Sequence, residues 1–269
     1  MHGLGNDFMI IDARKTELQL DQNLIKTLSH RNLGIGFDQL AVIYKSSTAG
    51  CSLKFWNYDG SVSKTCGNAS RCIADLIMKE NNSVNAILET EDGLLICNKN
   101  VDGKISVNMG TPKLEWNEIP LAIECDTLHL PLEGDPVATS MGNPHCTFFI
   151  DDINSVNLVN LGKTFETHQL FPLNTNVQIA QILNDNTIRV KVWERGVGQT
   201  LASGSSSCAV AVSAFRKGLT GKKTRIILDG GQLEIFWSED GVWMSGETQK
   251  VFEGRLSEEF LLQIERSRQ

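Results

Sequence analysis

Cys66 is the residue of the 269-residue sequence whose neighbours best suit it to acid/base chemistry. Gly67 and Asn68 follow it, and the pattern of residues 68–80 predicts a helix with an apolar stripe. The free N–H groups and the dipole at a helix start favour negative charge, so a thiol placed there has a lowered pKa. The same N–H groups can bind a substrate carboxylate. We therefore predict a base and an anion site together at this helix start.

A second position with the same setting appears because the chain contains an internal repeat. At a shift of 137 residues, which takes Cys66 to Ser203, polar and glycine positions of the two halves align in one order. We predict that Gly231 is an extra residue in the second half, so that the turns after it align at a shift of 138 residues. The aligned pairs are Gly5-Asn6 with Gly142-Asn143, Gln39 with Asn176, Asn57 with Glu194, Cys66-Gly67 with Ser203-Gly204, Asp92-Gly93 with Asp229-Gly230, and Asp102-Gly103 with Asp240-Gly241.

The elements that must position these residues are also repeated. Alternation predicts strands at residues 53–56 and 188–193, each followed by a glycine-containing loop and then by a helix, at residues 68–80 and 205–217. The later Asp-Gly pairs predict hairpin turns. We expect an α+β fold of two pseudo-symmetric lobes from internal duplication, each with strands wrapped around a central helix. The expected lobes are 1–112, joined by the returning segment of about 250–269, and 113–249.

Two equivalent helix starts suggest a reaction. If the lobes face each other across a pseudo-twofold axis, positions 66 and 203 approach one substrate from opposite sides of a cleft. One group would remove a proton from a carbon and the other would return a proton to the opposite face, which inverts a stereocentre. The sequence has no GxGxxG after a strand, no GxxxxGK[ST] and no HExxH, so we predict neither a cofactor nor a metal.

Composition and charge restrict the partners. The net charge of −7 and the scattered lysines and arginines argue against nucleic acid. No apolar run approaches the roughly 18 residues of a membrane span, and we see no secretion signal, so we expect a cytoplasmic protein without a membrane partner. The seven cysteines show no CxxC spacing, which favours free thiols, most of them buried.

The polar segments taken together resemble the diaminopimelate epimerase family, over nearly the whole chain. That resemblance implies an epimerase without cofactor that interconverts LL- and meso-diaminopimelate, a small amino acid, through two catalytic cysteines in two lobes, usually as a homodimer. The segments that carry the resemblance are Met1–Phe8, Gly34–Gln39, Cys66–Cys72, Gly142–His145, Asn176-Val177, Trp193–Gly196 and Ala202–Ser205.

The resemblance also implies roles for individual residues. Cys66 corresponds to one catalytic thiol, and Ser203 stands at the other catalytic position. His145 and Glu194 would help to set the protonation of the thiols, and Gly67-Asn68 and Gly204-Ser205 would bind the α-carboxylate. The side chains implied to contact the substrate are Asn6, Gln39, Asn57, Asn143, Asn176, Glu194 and Arg195.

These residue types suit such a substrate. Diaminopimelate carries two amino and two carboxylate groups, so its site needs many amide donors and acceptors. Arg195 can bind the distal carboxylate through two parallel hydrogen bonds. A single asparagine would be interpreted as a turn residue, but the amides here form a set aligned in both halves.

Ser203 departs from the family pattern, which has cysteine at this position. A serine hydroxyl is far less acidic than a thiol, so by residue type alone the second base is expected to be impaired. Two explanations stay open: a deliberate Cys-to-Ser change, or a protein with lost or altered activity. The rival functions are a proline or hydroxyproline racemase-like enzyme, in which Cys-Gly-His would replace Cys66-Gly67-Asn68, and a non-catalytic amino-acid-binding protein, which Ser203 favours.

Overall fold

Short strands, two long central helices and three outer helices make up the protein, whose computed structural model describes residues 1–63 and 66–266. The chain divides into two compact units. The first is Met1–Ile105 together with the chain after Gly246, and the second is Ser106–Gly246. The expected lobe boundaries lie a few residues later, at 112 and 249. Residues 267–269 of the segment expected to return to the first lobe lie outside the described residues.

The first unit is one sheet with two outer helices and one central helix. The strands are ordered β1-β2-β3-β4-β6-β7, and β5 pairs with β4. The elements are β1 His2–Gly3, β2 Asn6–Asp12, α1 Gln22–Ser29, β3 Gln39–Tyr44, β4 Cys51–Asn57, β5 Val62–Ser63, α2 Gly67–Glu80, β6 Asn85–Thr90 and β7 Gly93–Lys99.

The second unit repeats this plan. Its strands are ordered β8-β16-β15-β14-β12-β11-β10-β9, and β13 pairs with β12. The last helix, α5 Glu258–Arg266, belongs to the first unit. The elements of the second unit are β8 Ile105–Asn108, which enters it from the first, β9 Val137–Ser140, β10 Pro144–Phe149, α3 Leu158–Glu166, β11 Asn176–Asn184, β12 Thr187–Glu194, β13 Gly198–Thr200, α4 Gly204–Arg216, β14 Lys223–Leu228, β15 Gly231–Ser238 and β16 Gly241–Gly246.

Strand pairing confirms the internal duplication. β2 and β3 run parallel with Phe8 opposite Gln39, and β10 and β11 run parallel with His145 opposite Asn176. Both members of the second pair stand 137 positions after those of the first. β3 with β4 and β11 with β12 are antiparallel in both units. The two halves of the sequence therefore fold into the same arrangement of strands.

The prediction that Gly231 is the extra residue is wrong. Thr90 lies opposite Gly93 across the β6–β7 turn, and Leu228 lies opposite Gly231 across the β14–β15 turn. Gly93 therefore corresponds to Gly231 rather than to Gly230, and both have positive φ, at +121° and +141°. Because hairpin pairing fixes the register, the added residue must precede β14, in the connection that follows α4.

The two central helices begin one residue earlier than predicted, at Gly67 and at Gly204. Cys66 and Ser203 keep extended backbones, with φ of −147° and −138°, so each is the N-cap of its helix. Both helices are buried over most of their length. Such burial requires small or apolar side chains nearly all round, which explains the alanines and serines of α4. The mixed α+β fold with a central helix in each unit is as expected.

Candidate active site

Cys66 ends the loop before α2, and its thiol is directed at the helix start. Its Sγ accepts a hydrogen bond from the backbone N–H of Ala69, with a sulfur–nitrogen distance of 3.4 Å. The residue is half-buried. A sulfur held against a helix N–H group, with access to the surface, is the setting in which a thiolate is favoured.

Most of the other cysteines lie in environments that disfavour the thiolate. Burial raises the pKa of Cys51 and of Cys72 to about 11 and that of Cys97 to about 12, and it also raises the pKa of Cys146. Cys125 is half-buried, but its pKa is raised as well, by burial and by the charge of Asp126. These thiols stay protonated near neutral pH, which agrees with the prediction that most cysteines only pack.

Asn6 and Asn68 form one polar group beside the start of α2. The Nδ2 of Asn68 donates to Oδ1 of Asn6 at 3.2 Å, and the Nδ2 of Asn6 donates to Asp38 at 2.9 Å. Arg31 binds Asp38 at 2.8 Å and holds Asp7 through two hydrogen bonds of 2.9 Å each. The orientation of the Asn6 amide is therefore fixed from both sides, by the helix and by an ion-pair cluster.

Gln39 and Asn57 form a second amide pair in the same unit. They lie opposite each other on β3 and β4, and the Nε2 of Gln39 donates to Oδ1 of Asn57 at 2.9 Å. The Nδ2 of Asn57 then donates to the hydroxyl of Ser61 at 2.9 Å. The structure thus brings four of the predicted site residues of the first half together in two pairs, Asn6 with Asn68 and Gln39 with Asn57.

Ser203 has a different environment from its equivalent Cys66. Its hydroxyl makes no hydrogen bond to the N–H groups of α4. It donates instead to Oε2 of Glu194 at 2.9 Å, while the hydroxyl of Thr200 donates to Oε1 of the same carboxylate at 2.7 Å. Ser203 is buried, with 3% of its surface exposed, and Glu194 is half-buried.

Glu166 and a close helix contact place Glu194. It is the last residue of β12, directly after Trp193, whose indole N–H donates to Oε2 of Glu166 at 2.7 Å. Helix α3 passes so close that a Cβ at Gly162 would lie 2.3 Å from Cγ of Trp193. Glycine at this position therefore lets α3 fix the end of β12, and with it Glu194.

His145 lies at the centre of a buried polar cluster. Its Nε2 donates to Oδ1 of Asn143 at 2.8 Å, and its Nδ1 accepts from Nε2 of Gln178 at 3.1 Å. Gln178 also reaches the hydroxyl of Ser206 at the start of α4, at 3.1 Å. Burial, with a smaller contribution from the charge of Arg195, lowers the pKa of His145 to about 3. A neutral ring satisfies both contacts, so His145 acts in the folded protein through hydrogen bonds.

This pKa makes stability depend on pH. Because the unfolded chain binds a proton on His145 below about pH 6.5 and the folded chain does so only near pH 3, acid favours unfolding. Between pH 7 and pH 5 we expect the wild type to lose about 2 kcal/mol more unfolding free energy than His145→Gln. Urea unfolding of both proteins at the two pH values measures this difference. Equal losses in both proteins would contradict a buried neutral histidine.

Asn176 and Arg195 are coupled through the backbone. The Nδ2 of Asn176 donates to the carbonyl of Pro144 at 3.0 Å, and its Oδ1 accepts from the backbone N–H of Arg195 at 3.0 Å. Among the described residues, the exposed guanidinium of Arg195 donates one hydrogen bond, to the carbonyl of Leu173 at 2.8 Å. Since a guanidinium has five N–H donors, it retains donors for a carboxylate.

The remaining predicted residues lie at the helix starts. Gly67 and Gly204 are the first residues of α2 and α4, followed by the buried Asn68 and the half-buried Ser205. Their N–H groups belong to the first helical turn, which has no partners within the helix. These groups suit an anion, as expected for a carboxylate site.

Sequence reasoning missed several residues that hold the site. Asp38, Thr200 and Gln178 each contact a predicted site residue, and Arg31 and Glu166 hold the site indirectly. Two of them carried a signal: Asp38 precedes Gln39 in a glycine-rich segment, and Thr200 is equivalent to Ser63 in the repeat. No sequence pattern marks Gln178, because its contacts with His145 and Ser206 exist only once α4 packs against the strands.

Within residues 1–63 and 66–266, no three side chains of histidine, cysteine, aspartate or glutamate are grouped as metal ligands. The helices of the same part of the chain include none that is long and apolar enough to span a membrane.

The sequence of this chain is similar to those of known epimerases. The family model described as diaminopimelate epimerase matches residues 1–115 and 137–251. The diaminopimelate epimerase of Rhodospirillum centenum is 44% identical over 97% of this chain and 92% of its own length. The enzyme of Gluconobacter oxydans is 45% identical over 94% of this chain and 96% of its own length. The enzyme of a Wolbachia strain is 44% identical over 92% of this chain and 94% of its own length.

Solved structures show the same fold at low identity. A predicted epimerase from Pseudomonas aeruginosa superposes with a TM-score of 0.67 at 14% identity, covering 94% of this chain and 93% of its own. A probable proline racemase from Agrobacterium radiobacter superposes with a TM-score of 0.63 at 13% identity, covering 94% and 92%. At these identities the likeness concerns the fold alone.

Proposed function

The chain belongs to the diaminopimelate epimerase family, and on that premise we propose that it interconverts LL- and meso-diaminopimelate without a cofactor. The observation that carries the mechanism is the equivalence of Cys66 and Ser203 in a duplicated fold, each at the start of a central helix. Acid/base groups from both units would act on opposite faces of one α-carbon. The chain is thus an isomerase that moves protons rather than an oxidoreductase or a hydrolase.

The α-carboxylate would bind at the helix starts. N–H groups of Gly67-Asn68 and Gly204-Ser205 would hold it, and their partial positive charge would stabilise the negative charge that develops when the α-proton leaves. In the first unit, Cys66 would exchange the proton on its face of the carbon. Glu194 would set the protonation of the group at position 203, and His145, which the family resemblance also assigns to this role, would act as a neutral ring through its hydrogen bonds.

The remaining polar groups of the substrate would be bound by the side-chain amides and by the charged residues at the end of β12. Asn6 and Gln39 are already oriented by Asp38 and Asn57, which lowers the entropic cost of binding. The side chains that we assign to the substrate are Asn6, Gln39, Asn57, Asn143, Asn176, Glu194 and Arg195.

Arg195→Lys should weaken binding of meso-diaminopimelate about 10- to 100-fold, because a lysine cannot replace the paired hydrogen bonds of a guanidinium to a carboxylate. Isothermal titration calorimetry measures the affinity. Arg225→Lys, on the exposed side of β14, is the matched control and should bind as the wild type does. Unchanged affinity in Arg195→Lys would remove this residue from the site.

A non-catalytic amino-acid-binding protein is the second candidate, since Ser203 replaces a thiol. Calorimetry with meso-diaminopimelate and an epimerisation assay on the same sample separate the two functions. Binding with turnover supports the epimerase, and binding without turnover, in the wild type and in Ser203→Cys, supports the binding protein.

We also propose, from the family resemblance, a homodimer in the cytoplasm.

A further inference from the structure

The orientation of the Ser203 hydroxyl is unusual for a helix N-cap. Serine is among the best N-cap residues because its oxygen accepts from an N–H of the first turn, a contact that stabilises a helix by about 1 kcal/mol. Ser203 makes no such bond, although Cys66 at the equivalent position does. Its hydrogen points instead to Oε2 of Glu194, at 2.9 Å. The hydroxyl is thus oriented by a carboxylate rather than by its helix.

The carboxylate of Glu194 is held for this contact. Thr200 donates to Oε1 at 2.7 Å, which leaves Oε2 directed at Ser203. Glu194 pairs with Gly198 across β12 and β13, so its backbone is fixed as well. The equivalent residue of the first unit is Asn57, an amide that cannot accept a proton in this way. At this position the unit with serine at its helix start therefore carries a carboxylate, and the unit with Cys66 carries an amide.

We propose that Ser203 and Glu194 form a proton relay that replaces the missing thiol as the second acid/base group. This inference rests on the proposed epimerase function. Ser203 is the group that touches the α-carbon, and Glu194 is the group that stores the proton. A hydrogen bond between a hydroxyl and a carboxylate is strong where little water enters, as at Ser203 with 3% exposure.

In one direction the substrate presents its α-proton to Ser203. The proton passes to Oγ of Ser203 as the hydroxyl proton of Ser203 passes to Oε2 of Glu194, and the C–H electron pair stays on the α-carbon. The thiol of Cys66 then gives its proton to the opposite face of that carbon. The protein ends with neutral Glu194, an intact Ser203 hydroxyl and the Cys66 thiolate.

The other isomer uses the reverse steps. The Cys66 thiolate removes the α-proton, Ser203 gives its hydroxyl proton to the opposite face, and Glu194 returns a proton to Oγ of Ser203. One proton is thus shared between Cys66 and Glu194, and each turnover moves it from one to the other.

Ser203→Ala tests the relay because it removes the hydroxyl while leaving Glu194 in place. We expect interconversion of LL- and meso-diaminopimelate to fall at least about 10²-fold, with calorimetric affinity for meso-diaminopimelate within a few-fold of the wild type. In deuterium oxide the wild type should exchange the α-proton of both isomers, whereas Ser203→Ala should exchange that of only one. Loss of exchange in one isomer reports proton transfer at one face, which a general disturbance of structure would not produce.

Two control variants test whether the loss of activity in Ser203→Ala comes from a disturbed structure instead of from the missing hydroxyl. Ser203→Thr keeps a hydroxyl and should restore exchange in both isomers. Ser207→Ala removes a neighbouring hydroxyl that donates to the carbonyl of Ser203 at 2.7 Å, and it should keep the wild-type rate. The relay is wrong if Ser203→Ala interconverts the isomers as fast as the wild type. It is also wrong if the interconversion rate of Ser203→Thr falls as far as that of Ser203→Ala.

Failure of the relay can be told from failure of the proposed function. If Ser203→Cys interconverts the isomers while the wild type exchanges only one of them, the epimerase assignment stands and the relay is overturned. If neither protein exchanges or converts a bound diaminopimelate, the proposed function itself is wrong.

Discussion

Cys66→Ala should lower the rate of interconversion of LL- and meso-diaminopimelate about 10²- to 10⁴-fold, the usual contribution of a positioned acid/base group. The thiol is half-buried and its sulfur contacts a helix N–H group, at 3.4 Å, a setting that favours the thiolate form needed for a base. Initial rates of conversion in both directions measure the effect.

Cys125→Ala is the matched control for this variant. Cys125 is also half-buried, but the pKa of its thiol is raised by burial, and its loss should leave the rate unchanged. Cys66→Ala should also stop deuterium exchange in the isomer that presents its α-proton to Cys66. Exchange that persists equally in both isomers would remove Cys66 from the mechanism.

Ser203→Cys should raise the rate of interconversion about 10²-fold, toward the lower end of the range for an added acid/base group. A thiol at a helix start ionises far more readily than a hydroxyl, whereas the serine form depends on Glu194 to accept the proton. The gain is limited because Glu194 already supplies part of this function in the relay that we propose.

Ser207→Cys controls for the mere presence of a new thiol in α4. Ser207 is buried one turn further along the helix and contacts Ser203 through the backbone carbonyl rather than through the reacting hydroxyl, so its variant should keep the wild-type rate. If the serine and cysteine forms at position 203 turn over equally fast, the two-thiol pattern of the family does not describe this protein.

Local patterns in the sequence predicted the positions of Cys66 and Ser203. Glycine after each residue and the following apolar stripe mark the start of α2 and α4, because capping and periodicity depend on neighbours in sequence. The duplication was predictable for the same reason, since equivalent turns keep their residue types. The error at Gly231 arose because adjacent glycines look alike in sequence, and only the pairing of β14 with β15 distinguishes them.

The contacts that decide the chemistry were not predictable in this way. The hydroxyl of Ser203 had two possible partners, the N–H groups of its own helix and a carboxylate nine positions earlier. The choice depends on where β12 ends and on how α3 packs against Trp193. The buried contact between His145 and Gln178 likewise joins two strands whose separation in sequence carries no local signal.

One measurement tests the central claim directly. The wild-type protein is incubated with pure LL-diaminopimelate in deuterium oxide, and proton NMR with chiral separation follows both the α-proton and the configuration. We predict that meso-diaminopimelate accumulates, with deuterium at the inverted α-carbon, because the proton that is returned comes from solvent-exchanged groups. If LL-diaminopimelate keeps its α-proton and its configuration at concentrations where calorimetry shows it bound, the protein is not an epimerase.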